Sequence, residues 1–461
     1  MLVSSDSWKA KTKKKTKTLA KVPSERRLSK HELDKVAKQR DLTSALFDQY
    51  LETHERDIVR QDATVIVEKV QRELTVRETT LAFCKAAAIA YRIRSTIKKN
   101  GKTMGPLHGL PISLKDQFRA RGNDTTMAYI GWIGTYESCK DPELVHNVNS
   151  QTLNPNNQNL SSEGSSGGEG ALQALPGSVV GFGTDIGGFL RVPAAFNGIF
   201  SLKPTHSRLS YRGVANVIPG ETTYSSSVGV MGTSPDTIHL VLRSVVLTQP
   251  WIKDSNVVPI LWAGTNDNKP LKLGILWTDG VVTTQPPIAV ASDLWWMLLK
   301  VAFLKADGGY DIHQQLDLSG EPLVSPLRDA FQGRDYEAAY YWNSTADVDG
   351  QLVNAVIMLV APHAAVIPGK FYHTAYTEVI NLMDYRVVVI PVTKADKSID
   401  KADPSYTPLN DVDAKNWNAY DPEIYDGAPL GVQIVARKLE EEKIWAIGKI
   451  VHEILKAAGI Q

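Results

Sequence analysis

Two stretches of this chain carry side chains that could attack a carbonyl or move a proton. The first is Gly105-Pro-Leu-His-Gly-Leu-Pro-Ile-Ser-Leu-Lys115, turn signals feeding a short apolar strand that ends in a lysine. Burial beside Leu110–Leu114 disfavours an ammonium and frees Lys115 to accept a proton near neutral pH. The alternative is a surface lysine whose stem lies along apolar neighbours. The second stretch is rich in glycine and serine: Ser161-Ser-Glu-Gly-Ser165-Ser166-Gly-Gly-Glu-Gly170, then Gly181-Phe-Gly-Thr-Asp-Ile-Gly-Gly188. Glycine lets main-chain N–H groups approach a ligand closely, so such a segment reads as a backbone-built site. A serine nucleophile needs a base, and together the two stretches point to nucleophilic catalysis.

Other chemistries find less support. The ten histidines are scattered and form no His-Glu-x-x-His, and Cys84 and Cys139 stand 55 positions apart. His206, His239, His363 and His373 lack ligand spacing and are expected to be structural, so no metal site is expected. Gly164–Gly170 lacks the Lys-Ser/Thr of a P-loop, and no Gly-x-Gly-x-x-Gly opens a helix after a strand, so no nucleotide cofactor is expected. The 51 basic and 50 acidic residues nearly cancel, which argues against a nucleic acid or an anionic membrane as partner. Two cysteines give no disulfide framework, and no run of about 18 apolar residues exists to span a membrane. No secretory stretch follows Met1, so a soluble cytoplasmic enzyme is the expectation. Lys9 to Lys21 form a basic tail, read as a mobile terminus rather than a nuclear address or an anionic-surface anchor.

The elements that must position these residues follow from local pattern. Thr75-Val-Arg-Glu78 is a capping box opening a helix through Leu81–Ala90, with Cys84 expected in the core. Residues 271–277, 386–391 and 431–436 read as strands, and 292–304 and 440–457 as helices. Strands alternating with helices predict an α/β sheet with mostly parallel pairing.

At this point the residues resemble a known family. Gly105–Gln117 is similar to the lysine motif of the amidase signature family, and 164–204 to its long Gly/Ser signature, ending Ser201-Leu-Lys-Pro204. Ala428–Ala436 resembles its C-terminal strand, and the likeness, closest to the fungal acetamidase-like branch, runs from about residue 40 to the end. The resemblance implies residues 1–40 as a flexible tail and 41–461 as one domain, with a signature core at 105–204 and a terminal strand and helix at 428–458. It implies an α/β/α sandwich around a large mixed β-sheet. It also implies hydrolysis of short linear carboxamides to acid and ammonia, without cofactor, by a Ser–Ser–Lys triad. Lys115 matches the general base, and Ser165 the bridging serine that sits on a cis peptide. Ile186, Gly187 and Gly188 match the turn whose N–H groups form the oxyanion hole. Family members often form dimers, so a homodimer is compatible with the resemblance.

The chain departs from that pattern at one decisive place. The family writes Gly-Gly-Ser, with the serine as acyl-forming nucleophile, where this chain writes Gly187-Gly188-Phe189. Asp185 before and Arg191 after keep the register, and both are further site candidates. Phenylalanine cannot be acylated, and its ring is expected in the space of the substrate carbonyl. Chain is also missing: only 49 residues separate Lys115 from Ser165, with an abrupt join at 147–154 and shortening near 93–98, 305–309 and 331–335. Two readings follow. Either a substitute nucleophile, Ser165 before Ser166 or Thr184, sustains hydrolysis, or the chain is an inactive relative that keeps only an amide-binding or interaction scaffold.

Overall fold

The computed structural model describes residues 39–41, 43, 50–90, 106–120, 125, 127, 152–216, 225–264, 273–276, 278–289 and 353–459. Their strands are β1 (Ile112–Leu114), β2 (Leu153–Asn154), β3 (Asn157–Ser161), β4 (Val180–Asp185), β5 (Phe200–Lys203), β6 (Ser227–Gly232), β7 (Leu273–Leu276), β8 (Ala355–Leu359), β9 (Arg386–Lys394) and β10 (Pro429–Ala436). The helices are α1 (Thr53–Val59), α2 (Ala63–Arg72), α3 (Val76–Ala90), α4 (Gly167–Ala174), α5 (Arg191–Asn197), α6 (Pro235–Leu247), α7 (Ala375–Leu382), α8 (Asp411–Asn418), α9 (Pro422–Tyr425) and α10 (Glu441–Ala457).

Among these residues one sheet of eight strands runs β1-β4-β6-β5-β9-β10-β8-β7, and β2 and β3 form a separate hairpin just before the Gly/Ser segment. Strands β8, β9 and β10 are runs of Val, Ile and Leu, buried along most or all of their length. That composition suits strands covered on both faces. Alternation along β10 shows the covering. A Cβ at Gly431 would touch Ala195 of α5, and Gln433 bonds to Arg191 of the same helix. Val388, paired with Ile434 on the other face, lies against Gly448 of α10. Helices α4 and α5 therefore cover one face and α6 and α10 the other, the sandwich the resemblance implies.

The expectation of mostly parallel pairing is wrong. Only β1/β4 and β7/β8 are parallel; the other five pairs of the sheet are antiparallel. Strands β4 and β5, joined through α5, could have paired in parallel, but β6 returns between them antiparallel to both.

The predicted strands at 386–391 and 431–436 and the C-terminal helix are present, and the strand within 271–277 covers 273–276. The capping box also forms: Thr75 N–H donates to Glu78 and Glu78 N–H to Thr75 Oγ1. Cys84 is only half-buried, because Phe83 and Ala86, three apart on α3, take the core-facing side. The predicted helix at 292–304, the shortened places at 93–98, 305–309 and 331–335, most of the join at 147–154, nearly all of the tail, and Cys139 lie outside the described residues. No helix of the described residues is long and apolar enough to cross a membrane.

Candidate active site

Lys115 stands one residue beyond β1, where its backbone N–H still bonds to Phe182 O of β4 at 3.0 Å. Its Nζ lies 2.5 Å from Ser165 Oγ and 2.6 Å from Thr184 Oγ1. The lysine is buried, at 6% exposure, whereas Ser165 opens to solvent. Burial holds the ammonium down to about 7, with the Asp185, Glu169 and Asp116 carboxylates pulling the other way. Thr184 Oγ1 donates its one proton to Gln117 Oε1 at 2.5 Å, and Gln117 Nε2 donates to Ala215 O at 2.9 Å. A carbonyl can only accept, so the amide is fixed and Thr184 must accept from Lys115. A neutral Lys115 thus gives one N–H to Thr184 and keeps its lone pair for the Ser165 hydroxyl.

The turn that carries Ser165 is built on left-handed backbone, with φ of 46° at Glu163 and 58° at Gly164, where Pro193 leaves no room for a Cβ. Ser166 is buried at the N-cap of α4, and its N–H donates to Phe189 O at 3.2 Å. All peptide bonds of the described residues are trans, so the cis bond implied at Ser165 is not found.

The turn expected as an oxyanion hole follows β4. Asp185 accepts from the N–H groups of Gly188 at 2.9 Å, Leu190 at 3.2 Å and Arg191 at 3.3 Å. Its carboxylate also takes Arg191 Nε and Nη2, both at 3.0 Å, and Asn381 Nδ2 at 2.9 Å. Burial opposes this carboxylate, but Arg191, Lys203 and Asn381 hold it far below the usual carboxylate range. Arg191 reaches on to Gln433 Oε1 and Thr377 O. Asp185 and Arg191 are thus the buried frame of the turn. Gly188 has φ of 110°, and a Cβ there would strike Thr377. Its N–H belongs to Asp185, whereas those of Ile186 and Gly187 take no partner among the described residues. Phe189 is tied by its backbone to Ser166, and the residue is 43% exposed rather than sunk in the core.

The family model described as Amidase matches residues 66–151 and 137–300. An acetamidase of Aspergillus oryzae is 35% identical over 88% of this chain and 91% of its own. The chain belongs to the amidase signature family. An acetamidase of Emericella nidulans is 34% identical over 87% of this chain and 90% of its own. Among solved structures, a fatty acid amide hydrolase superposes with a TM-score of 0.80 at 25% identity, covering 97% of this chain and 95% of that one. The alignment to the Aspergillus amidase spans 498 positions, more than the 461 residues here, so that relative has segments without a counterpart in this chain. The two stretches matched by the amidase model meet at 137–151, beside the join read at 147–154.

The amidase fold brings Lys115, Ser165 and Thr184 together and leaves Ser166 a buried capping position. Gln117, Asn381, Gln433 and Thr377 were not expected at the site. Gln117 stood inside the quoted lysine motif, but the other three come from distant strands and helices and left no local signal. Tyr129, Trp132 and Tyr136, aromatics that could line a pocket but more often fill a core, lie outside the described residues. The four histidines are engaged elsewhere: His206 with Ser226 O, His239 stacked on Trp445, His363 against Phe371, and His373 with Asp279. No group of metal-ligating side chains assembles among the described residues.

Proposed function

We propose that this chain carries the site of a small-carboxamide hydrolase, with base and relay assembled and the acyl-forming nucleophile absent. It binds short linear amides in the cytoplasm without cofactor and does not turn them over as written. The observation that carries this reading is the 2.5 Å contact between a buried lysine poised near neutrality and an open serine hydroxyl. A base of that strength takes a proton at neutral pH, and Ser165 can pass one to it from an attacking group beyond. With a serine at 189, Ser165 would accept the nucleophile's proton while giving its own to Lys115. The new C–O bond would form as the carbonyl oxygen gains charge beside the Ile186 and Gly187 N–H groups. The C–N bond would then break, with the proton returned to the departing ammonia, and water would release the acid by the same path.

Phe189 supplies no oxygen, so the sequence stops before the first step. Ammonia release from acetamide and larger carboxamides, by the natural chain beside Phe189→Ser, tests this: only the serine variant is expected to turn over. Silence from both would remove the hydrolase reading. One observation favours a second reading. Ser165 itself is exposed and in contact with a base, the arrangement of a Ser–Lys dyad. Ammonia release by the natural chain, lost in Ser165→Ala, would establish it.

A further inference from the structure

Ser166-Gly-Gly-Glu169 has the spacing of a capping box, with Ser166 at the N-cap and Glu169 in the first turn of α4. The box does not form: the Ser166 side chain makes no cap bond. Glu169 turns instead into the space between α4 and the sheet, where it is buried and accepts the Ser113 hydroxyl of β1 at 2.5 Å. The same spacing at Thr75 and Glu78, on an exposed helix end, does close into a box, so the sequence permits it and packing diverts it at α4. Gly181, which pairs with Ser113, makes the space: a Cβ there would overlap both Glu169 Oε2 and Ser113 Oγ.

Two contacts therefore link β1 to α4 and the turn before it. Ser113 meets Glu169, and Lys115 meets Ser165. Ser113 lies in β1 and Lys115 one residue beyond its end, two positions apart and so on the same side of the extended chain. Glu169 stands in the first turn of α4, and Ser165 in the turn just before its Ser166 N-cap. Both contacts join the same two short segments, so fixing one holds the other in register.

We propose that the Ser113–Glu169 hydrogen bond is a register pin that holds Lys115 against Ser165, with Glu169 a positioning residue. The proposal rests on the reading of Lys115 as the base. The groups facing that amine are Ser165, Thr184 and the carboxylates of Asp185, Glu169 and Asp116. Burial pushes the Glu169 carboxyl up to about 7, so the pin persists when that group is neutral, since the carbonyl oxygen still accepts from Ser113.

Competitive labelling of the folded full-length chain with acetic anhydride across pH, read lysine by lysine in mass spectra, tests the pin without needing turnover. In the natural chain Lys115 should titrate well below the surface lysines. In Ser113→Ala its midpoint should rise by about one pH unit or more toward theirs, as the amine leaves its buried seat, and in Glu169→Leu it should also rise, against the lowering that loss of the carboxylate alone would give. Glu169→Gln keeps an oxygen acceptor for Ser113 and should keep the low midpoint. A merely structural role would lower the melting temperature and leave the Lys115 midpoint where it was. An unchanged midpoint in folded Ser113→Ala, the mildest of the three, overturns the proposal, and so does Glu169→Gln behaving like Glu169→Leu. Ammonia release by Phe189→Ser is read separately. A silent Phe189→Ser with a shifted Ser113→Ala midpoint would sink the hydrolase reading alone.

Discussion

The Gly188 N–H donates to Asp185 Oδ1 at 2.9 Å, pinning the turn that carries Phe189 to the last residue of β4. The bond takes away one of the three N–H groups expected to face a developing oxyanion. It also makes the turn depend on the Asp185–Arg191 pair, which is fully buried and bonded on every side.

Asp185→Asn should therefore cost about 3–5 kcal/mol, because it leaves the Arg191 guanidinium buried beside a neutral amide. The native carboxyl is held far below its unfolded value of 3.8, against the effect of burial. Its contribution is complete above that unfolded value and is lost only as pH falls through the much lower folded one. Urea unfolding at pH 7 and pH 5 should show the same gap between variant and parent. A gap that closes by pH 5 would show that Asp185 is not held in this way.

Gly187 and Gly188 are neighbours with different constraints. Gly188→Ala meets both a φ of 110° and the Thr377 side chain and should cost more than about 2 kcal/mol. A Cβ at Gly187 has its nearest neighbour, Glu378 Cγ, at 3.5 Å, and Gly187→Ala should stay within about 1 kcal/mol of the parent. Equal losses in the two thermal melts would contradict the turn as described.

The meeting of Lys115 with Ser165 was legible through the family resemblance, which each of their two motifs is long enough to carry; the local pattern alone left Lys115 open to a surface position. The strands at 386–391 and 431–436 were legible from their short, mostly apolar stretches, although Gln433 interrupts the second. Strand order was not. The pairing of β6 between β4 and β5 is decided by long-range packing, and alternating strands and helices suggested the wrong direction. Glu169 shows the same limit at one residue: its spacing from Ser166 reads as a helix cap, and only Gly181, across the sheet, reveals the space that draws it inward. The frame around Arg191 was hidden too, since Asn381 and Gln433 lie 190 and 242 positions away from it.

Phe189→Ser should be nearly silent in stability, within about 1 kcal/mol, because Phe189 is 43% exposed and lies outside the core. Its hydrolysis rate should rise with pH through about 7, because the neutral Lys115 amine is the form that accepts a proton. A rate that falls over that range would mean that Lys115 acts as an acid or not at all.

Thr184→Val keeps the shape of the side chain and removes its oxygen. Gln117 Oε1 loses its donor and Lys115 loses one of two partners. A buried acceptor left unpaired should cost about 1–3 kcal/mol. The amine is then free to swing, and its lone pair is no longer aimed at Ser165. In the Phe189→Ser background this should lower the hydrolysis rate by about 100-fold, the scale on which misplaced reacting groups are felt. Thr184→Ser restores the hydroxyl and should recover most of both losses. If valine and serine at 184 give the same rate and the same unfolding midpoint, the ordered path from Gln117 through Thr184 to Lys115 has no part in presenting the base.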